Sequence, residues 1–140
     1  MPETLVQSTG LSVGPGSLTG KKILLVDDDI DIVASLRAAF EPTGAEIASV
    51  NNGNQAITAA EASPPDLIIL DLMLPGRSGF LVLEKLRARK KPMEKPFVIM
   101  ITGNSGTRHK AFAESMGVHD YYNKPVRLEK LLNRAAQLLA

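Results

Sequence analysis

Ile23-Leu24-Leu25-Val26 runs straight into Asp27-Asp28, and Leu67-Ile68-Ile69-Leu70 runs straight into Asp71. Short runs of Ile, Leu and Val bounded by polar residues are strands buried on both faces, the pattern of a parallel sheet. If the two strands are parallel neighbours, the three acids meet at one carboxyl edge, where open α/β sheets hold their ligands. Carboxylates about 5 Å apart repel by roughly 3 kcal/mol per pair at an effective dielectric of about 20. Such a cluster needs a cation or a raised pKa. A hard, oxygen-liganded ion, Mg²⁺ above all, suits it.

Outward from these runs, strands and helices alternate. Strand 22–27 leads to a helix at about 29–40 with Val33, Leu36 and Phe40 on one face. Strand 45–50 is weaker, and an Ala-rich helix follows the turn Asn51-Asn52-Gly53 and stops at Pro64-Pro65. After strand 66–71 comes the loop Leu74-Pro75-Gly76, then a helix capped by Ser78. Strand 97–101 precedes a helix at about 107–116 that ends on Gly117, a left-handed cap. Strand 119–122 precedes a last helix at about 126–139, with Leu128, Leu131, Leu132, Ala135 and Leu138 at helical spacing. Five strand–helix repeats imply an α/β fold, a parallel sheet covered on both faces with right-handed crossovers. Residues 1–20, rich in Gly, Ser, Thr and Pro, are expected to be a flexible lead-in, with compact structure from near Lys21.

The 140 residues suffice for one domain with a core. A formal charge of +1 gives no general attraction to nucleic acid or membrane. The absence of cysteine excludes disulfides, thiol catalysis and thiolate-bound metal, and agrees with a reducing cytosol. No apolar run approaches the roughly 18 residues of a membrane span, and the N-terminus lacks the pattern of a signal peptide.

Two further groups reach the acidic edge. Strand 97–101 ends in Thr102-Gly103, and Lys124-Pro125 follows the fifth strand. Three acids, a hydroxyl and an ammonium suit transfer of a phosphoryl group onto a carboxylate. Gly103 leaves room for the group to approach the backbone.

At these residues the chain resembles the receiver domains of two-component response regulators. ILLVDDD at 23–29, LIILDLMLPGRSG at 67–79, VIMITG at 98–103 and DYYNKPV at 120–126 match the family's signatures in order. The resemblance covers 21–140. It implies the flavodoxin-like (βα)₅ doubly wound sheet with strand order 2-1-3-4-5. It makes Asp71 the phosphoacceptor, with Asp28 binding Mg²⁺ (or Mn²⁺) directly, Asp27 mainly through water, and the Met73 backbone carbonyl as a further ligand. Thr102 would hydrogen-bond the phosphoryl group and Lys124 would pair with it, beside a Lys124-Pro125 bond that is usually cis. Tyr121 takes the aromatic switch position and would turn inward on phosphorylation, while Thr102 moves toward the phosphoryl group.

The implied role is a cytoplasmic switch, not a metabolic enzyme, that catalyses only its own phosphorylation and dephosphorylation. The donor would be a sensor histidine kinase or a histidine phosphotransfer protein. The output would be a protein bound at the face of the fourth helix, fifth strand and fifth helix, by a monomer or weak homodimer with no direct nucleic-acid or membrane contact. The chain would be a stand-alone receiver or a fragment of a longer regulator. Val126 replaces the Phe most common after Lys-Pro, and Arg127, Glu129, Lys130 and Arg134 only partly match receivers that dimerise through this face. Apolar Met73, which with Asn104 holds the positions that tune dephosphorylation, is expected to give a phosphoryl-aspartate lasting minutes or longer.

Blander readings compete. Asp29 is read as a helix cap. Asp27-x-Asp29-x-Asp31 hints at a calcium loop, but Ile32 and Ala38 stand where that loop needs Gly and Glu. His109 and His119 are expected on the surface. The basic run Arg87–Lys91 is read as a helix C-terminus. A haloacid-dehalogenase-type phosphatase would use Asp27 as nucleophile, with Asp29, Thr102 and Lys124, but gives Asp71 no role and lacks the later acids. A phosphorylation-independent interaction module is the other alternative.

Overall fold

The computed structural model of the protein describes residues 13–75, 78–87, 96–103 and 107–140. Its elements in chain order are β1 (Lys22–Val26), α1 (Ile30–Phe40), a short 3-10 turn (Glu41–Thr43), β2 (Glu46–Val50) and α2 (Gly53–Ala62). Then come β3 (Leu67–Asp71), α3 (Gly79–Arg87), β4 (Phe97–Thr102), α4 (Thr107–Ser115), β5 (Asp120–Asn123) and α5 (Leu128–Leu139). All pairings are parallel, in the order β2-β1-β3-β4-β5. This is the expected doubly wound flavodoxin-like sheet.

Alternation along the strands divides the core in two. Leu24, Val26, Ile68, Leu70, Val98 and Met100 face one side and pack with Ala56, Ile57 and Ala60 of α2, Val82 and Leu83 of α3 and Ala113 of α4. Ile23, Leu25, Leu67, Ile69, Ile99 and Ile101 face the other and pack with Leu36 and Phe40 of α1 and Leu131, Ala135 and Leu139 of α5. The helix starts follow local chemistry. Asp29 caps α1 by accepting from the Asp31 and Ile32 amides at 2.9 and 3.2 Å, and Asn52 caps α2 by accepting from Gln55 at 2.8 Å. Gly117 follows α4 in the left-handed conformation, φ 92°, as expected.

The lead-in reading needs correction where it can be examined. Residues 1–12, the loop residues Gly76 and Asn104, and most of the basic run after Arg87 lie outside the described residues. Residues 13–20 form turns docked on the fold. The Gly16 amide donates to the Pro42 carbonyl and the Leu18 amide to the Thr43 carbonyl, each at 2.8 Å. Leu18 is buried in the α1/α5 half of the core. Compact structure therefore begins before Lys21.

Candidate functional site

β1 and β3 are direct neighbours in register, Val26 beside Leu70, so Asp27 and Asp71 leave the sheet side by side. One oxygen each of Asp27, Asp28 and Asp71 lies within 4.8 Å of the others. Asp27 and Asp71 are buried, whereas Asp28 is exposed. The Lys124 ammonium stands 3.1 Å from Asp27 Oδ2 and 3.3 Å from Asp71 Oδ2. Its backbone amide donates to the Thr102 carbonyl at 2.7 Å, which ties the loop after β5 to the end of β4. The Lys124-Pro125 bond is cis. An open cleft over this cluster is lined by Asp28, Asp29, Asp71, Met73, Gly103 and Lys124.

Each carboxylate is held differently. Asp27 Oδ1 accepts from the Asp29 amide at 2.9 Å, and Asp71 Oδ1 accepts from the Met73 amide at 3.1 Å. Burial, and after it the Asp27 charge, lift Asp71 from its ordinary 3.8 to about 6, against the pull of the Met73 amide and Lys124. Lys124 is weakened most by its own burial, but its bonds and charge contacts with Asp27 and Asp71 outweigh that and leave its pKa raised. Asp27 and Asp71 share the one ammonium of Lys124, and Asp28 stands beside them. A hard divalent cation fits this oxygen set.

Other expected residues lie close by without meeting in the cleft. Thr102 ends β4 and is fully buried, beneath the cleft and not among its lining residues. Tyr121, expected to turn inward on phosphorylation, lies inward in this structure. Its side chain belongs to the α2/α3/α4 half of the core, and its buried hydroxyl has no hydrogen-bond partner among the described residues. Asp29 is committed to capping α1, and Asp71 sits inside the cluster, so the phosphatase reading is not favoured.

Two residues escaped sequence reading. His119 is half-buried and serves the sheet. Its Nδ1 accepts from the Val98 amide at 3.1 Å, one step before the β4/β5 ladder begins. Burial first, then the Arg87 and Arg134 charges, lower its pKa. Arg134 also holds Asp120 at 3.2 Å and the His119 carbonyl at 3.0 Å, and Tyr122 donates to Asp120 at 2.7 Å. Arg134 thus joins α5 to β5 within the chain. Gly79 is the other missed residue. It presses on the backbone of Asp71, and only its place in a Pro-Gly-Arg-Ser-Gly stretch hinted that a glycine there was special.

A family model described as the response regulator receiver domain matches residues 23–136. The chain is 34% identical over 119 residues to the alkaline phosphatase synthesis transcriptional regulatory protein PhoP of Bacillus subtilis, covering 85% of this chain and 48% of that protein. It is 39% identical over 118 residues to the transcriptional regulatory protein CiaR of Streptococcus pneumoniae, covering 84% and 51%. The chain thus spans about half the length of these curated relatives. Among solved structures, a CheY-like response regulator receiver domain protein from Methanospirillum hungatei superposes with a TM-score of 0.77 at 29% identity, over 85% of this chain and 93% of that one.

Proposed function

The chain belongs to the response regulator receiver domain family, whose members are signalling switches of two-component systems, and on that premise we propose that Asp71 is the residue phosphorylated. The observation that carries this reading is the placing of Asp71. Its carboxylate lines the cleft, beside a half-buried ammonium and two further acids.

The donor is a phosphohistidine of a sensor kinase or phosphotransfer protein. An Asp71 oxygen attacks phosphorus, the P–O bond forms as the P–N bond breaks, and the donor imidazole leaves with a proton. Asp71 must be ionised to attack, and an apo-site pKa of about 6 leaves it so at neutral pH. Lys124, already 3.3 Å from Asp71, pairs with the incoming phosphoryl oxygens. Thr102 reaches the group from the end of β4. Asp27, Asp28, Asp71 and the Met73 carbonyl would hold Mg²⁺, with Mn²⁺ as an alternative. When bound, the ion neutralises the carboxylates and the transferred oxygens.

Residues 21–140 form the receiver, with residues 13–20 docked on it, and the chain acts in the cytoplasm. New contacts of Thr102 and Lys124 with the phosphoryl group shift the end of β4 and the loop after β5. The output surface built from α4, β5 and α5 is then remodelled for a protein partner. Arg134 is turned onto Asp120 within the chain, and the Arg127–Glu129 pair at 3.7 Å is exposed, which supports a monomer or weak homodimer.

Intact mass after incubation with Mg²⁺ and acetyl phosphate tests the reading. One phosphoryl group is expected, absent in Asp71→Asn and with EDTA. A gain that survives Asp71→Asn would place the acceptor elsewhere, with Asp27 the next candidate.

A further inference from the structure

Asp71 is pinned on one side by the sheet. It pairs with Ile101 of β4, and the following Leu72 amide donates to the Ile101 carbonyl at 2.9 Å. On another side stands Gly79, the first residue of α3, whose amide donates to the Leu72 carbonyl at 2.9 Å. A β-carbon on Gly79 would lie 2.5 Å from the Asp71 carbonyl oxygen, 2.8 Å from Leu72 Cα and 3.2 Å from the Asp71 carbonyl carbon. All three are backbone atoms, so no side-chain rotation relieves the contact. The backbone of Gly79 is not in the left-handed region. Space, not conformational freedom, is what excludes a side chain here.

The peptide that would have to move carries the Asp71 carboxylate and leads to the Met73 amide bonded to it. We propose that Gly79 is a positioning residue for phosphoryl transfer: its bare Cα lets α3 seat on the Asp71–Leu72 peptide and so sets the Asp71 carboxylate against Lys124 and the neighbouring acids. This rests on the reading of Asp71 as phosphoacceptor. Val82, one turn along the same helix and fully buried in the core, supplies the control. Its truncation weakens the packing of α3 and adds no atom against the Asp71 backbone.

The experiment compares the parent chain, Gly79→Ala and Val82→Ala with acetyl phosphate and Mg²⁺. Maximal phosphorylation rate and half-saturating Mg²⁺ are read in trimethylamine oxide, which favours the folded state of each. Circular dichroism confirms folding. Gly79→Ala is expected to lose roughly tenfold to a hundredfold in maximal rate, the penalty for a displacement of up to 1 Å at a reacting group. Val82→Ala is expected to melt lower yet react within about twofold of the parent. Parental rate and Mg²⁺ dependence in Gly79→Ala would overturn the proposal, and so would an equal loss in Val82→Ala. A Gly79→Ala chain that stays unfolded in the osmolyte would overturn it too, because the glycine would then serve the fold. A parent chain not phosphorylated on Asp71 would overturn the acceptor reading as well, a result distinct from all of these.

Discussion

Replacing Asp71 with Asn should stabilise the protein in metal-free buffer, and by an amount that depends on pH in one direction only. At an effective dielectric of about 20, Asp27 at up to 4.8 Å repels Asp71 by about 3.5 kcal/mol, while Lys124 at 3.3 Å attracts it by about 5 kcal/mol. Asp28 is exposed and screened by water, so the two close charges nearly offset and burial decides the sign. The rise of the Asp71 pKa from 3.8 to about 6 comes from burial first and the Asp27 charge second: at about 1.4 kcal/mol per pH unit, the ionised group costs the folded state about 3 kcal/mol. A raised carboxyl pKa means the folded state holds the proton more tightly than the unfolded chain. The cost is therefore absent below 3.8, grows as pH rises through the window, and is complete above about 6. Asparagine carries none of it, and its side-chain oxygen still accepts from the Met73 amide. Urea unfolding in EDTA should show Asp71→Asn more stable by about 3 kcal/mol at pH 7.5, by about half that at pH 5, and equal near pH 3.5. Saturating Mg²⁺ should close the gap at pH 7.5 by stabilising the parent. A variant no more stable than the parent at pH 7.5, or a gap that does not change with pH, would refute the account of a carboxylate strained by burial beside a second acid.

Leu18→Ala should cost about 2–4 kcal/mol by urea unfolding, because Leu18 is 3% exposed in the α1/α5 core; a loss under about 0.5 kcal/mol would return residues 13–20 to the status of a lead-in. Met73, 60% exposed at the mouth of the cleft, should slow water's attack on the phosphorylated site, so Met73→Asn should shorten a lifetime of minutes to seconds in a decay followed by intact mass. Equal lifetimes would remove Met73 from that role. His119 has the opposite sign to Asp71: its pKa is lowered, so its stabilising bond is whole above 6.5 and is lost as pH falls below that value. In the Asp71→Asn background, where the opposing slope is gone, stability should fall on acidification below 6.5, and His119→Gln should flatten that fall.

The parts of this protein legible in its sequence are those whose physics is local. Ile23–Val26 and Leu67–Leu70 could be nothing but strands buried on both faces, and the acids that end them had to share an edge once the strands were neighbours. Asp29 and Gly117 announced helix ends because capping and left-handed φ are settled within a few residues. The misreadings concern contacts between distant residues. Leu18 sits in a Gly-Pro-Gly-Ser-Leu-Thr-Gly stretch whose composition signals flexibility, yet carbonyls of Pro42 and Thr43 satisfy its turns. His119 looked like a surface residue because the amide it serves belongs to Val98, 21 residues away. Gly79 drew no notice at the start of a helix because the atoms it makes room for belong to Asp71 and Leu72. The chemistry of the site is thus written in the residues that end strands. Its geometry depends on a residue with no side chain, on the far side of a loop, and a sequence carries no mark of a side chain that must be absent until the backbone it would strike is in place.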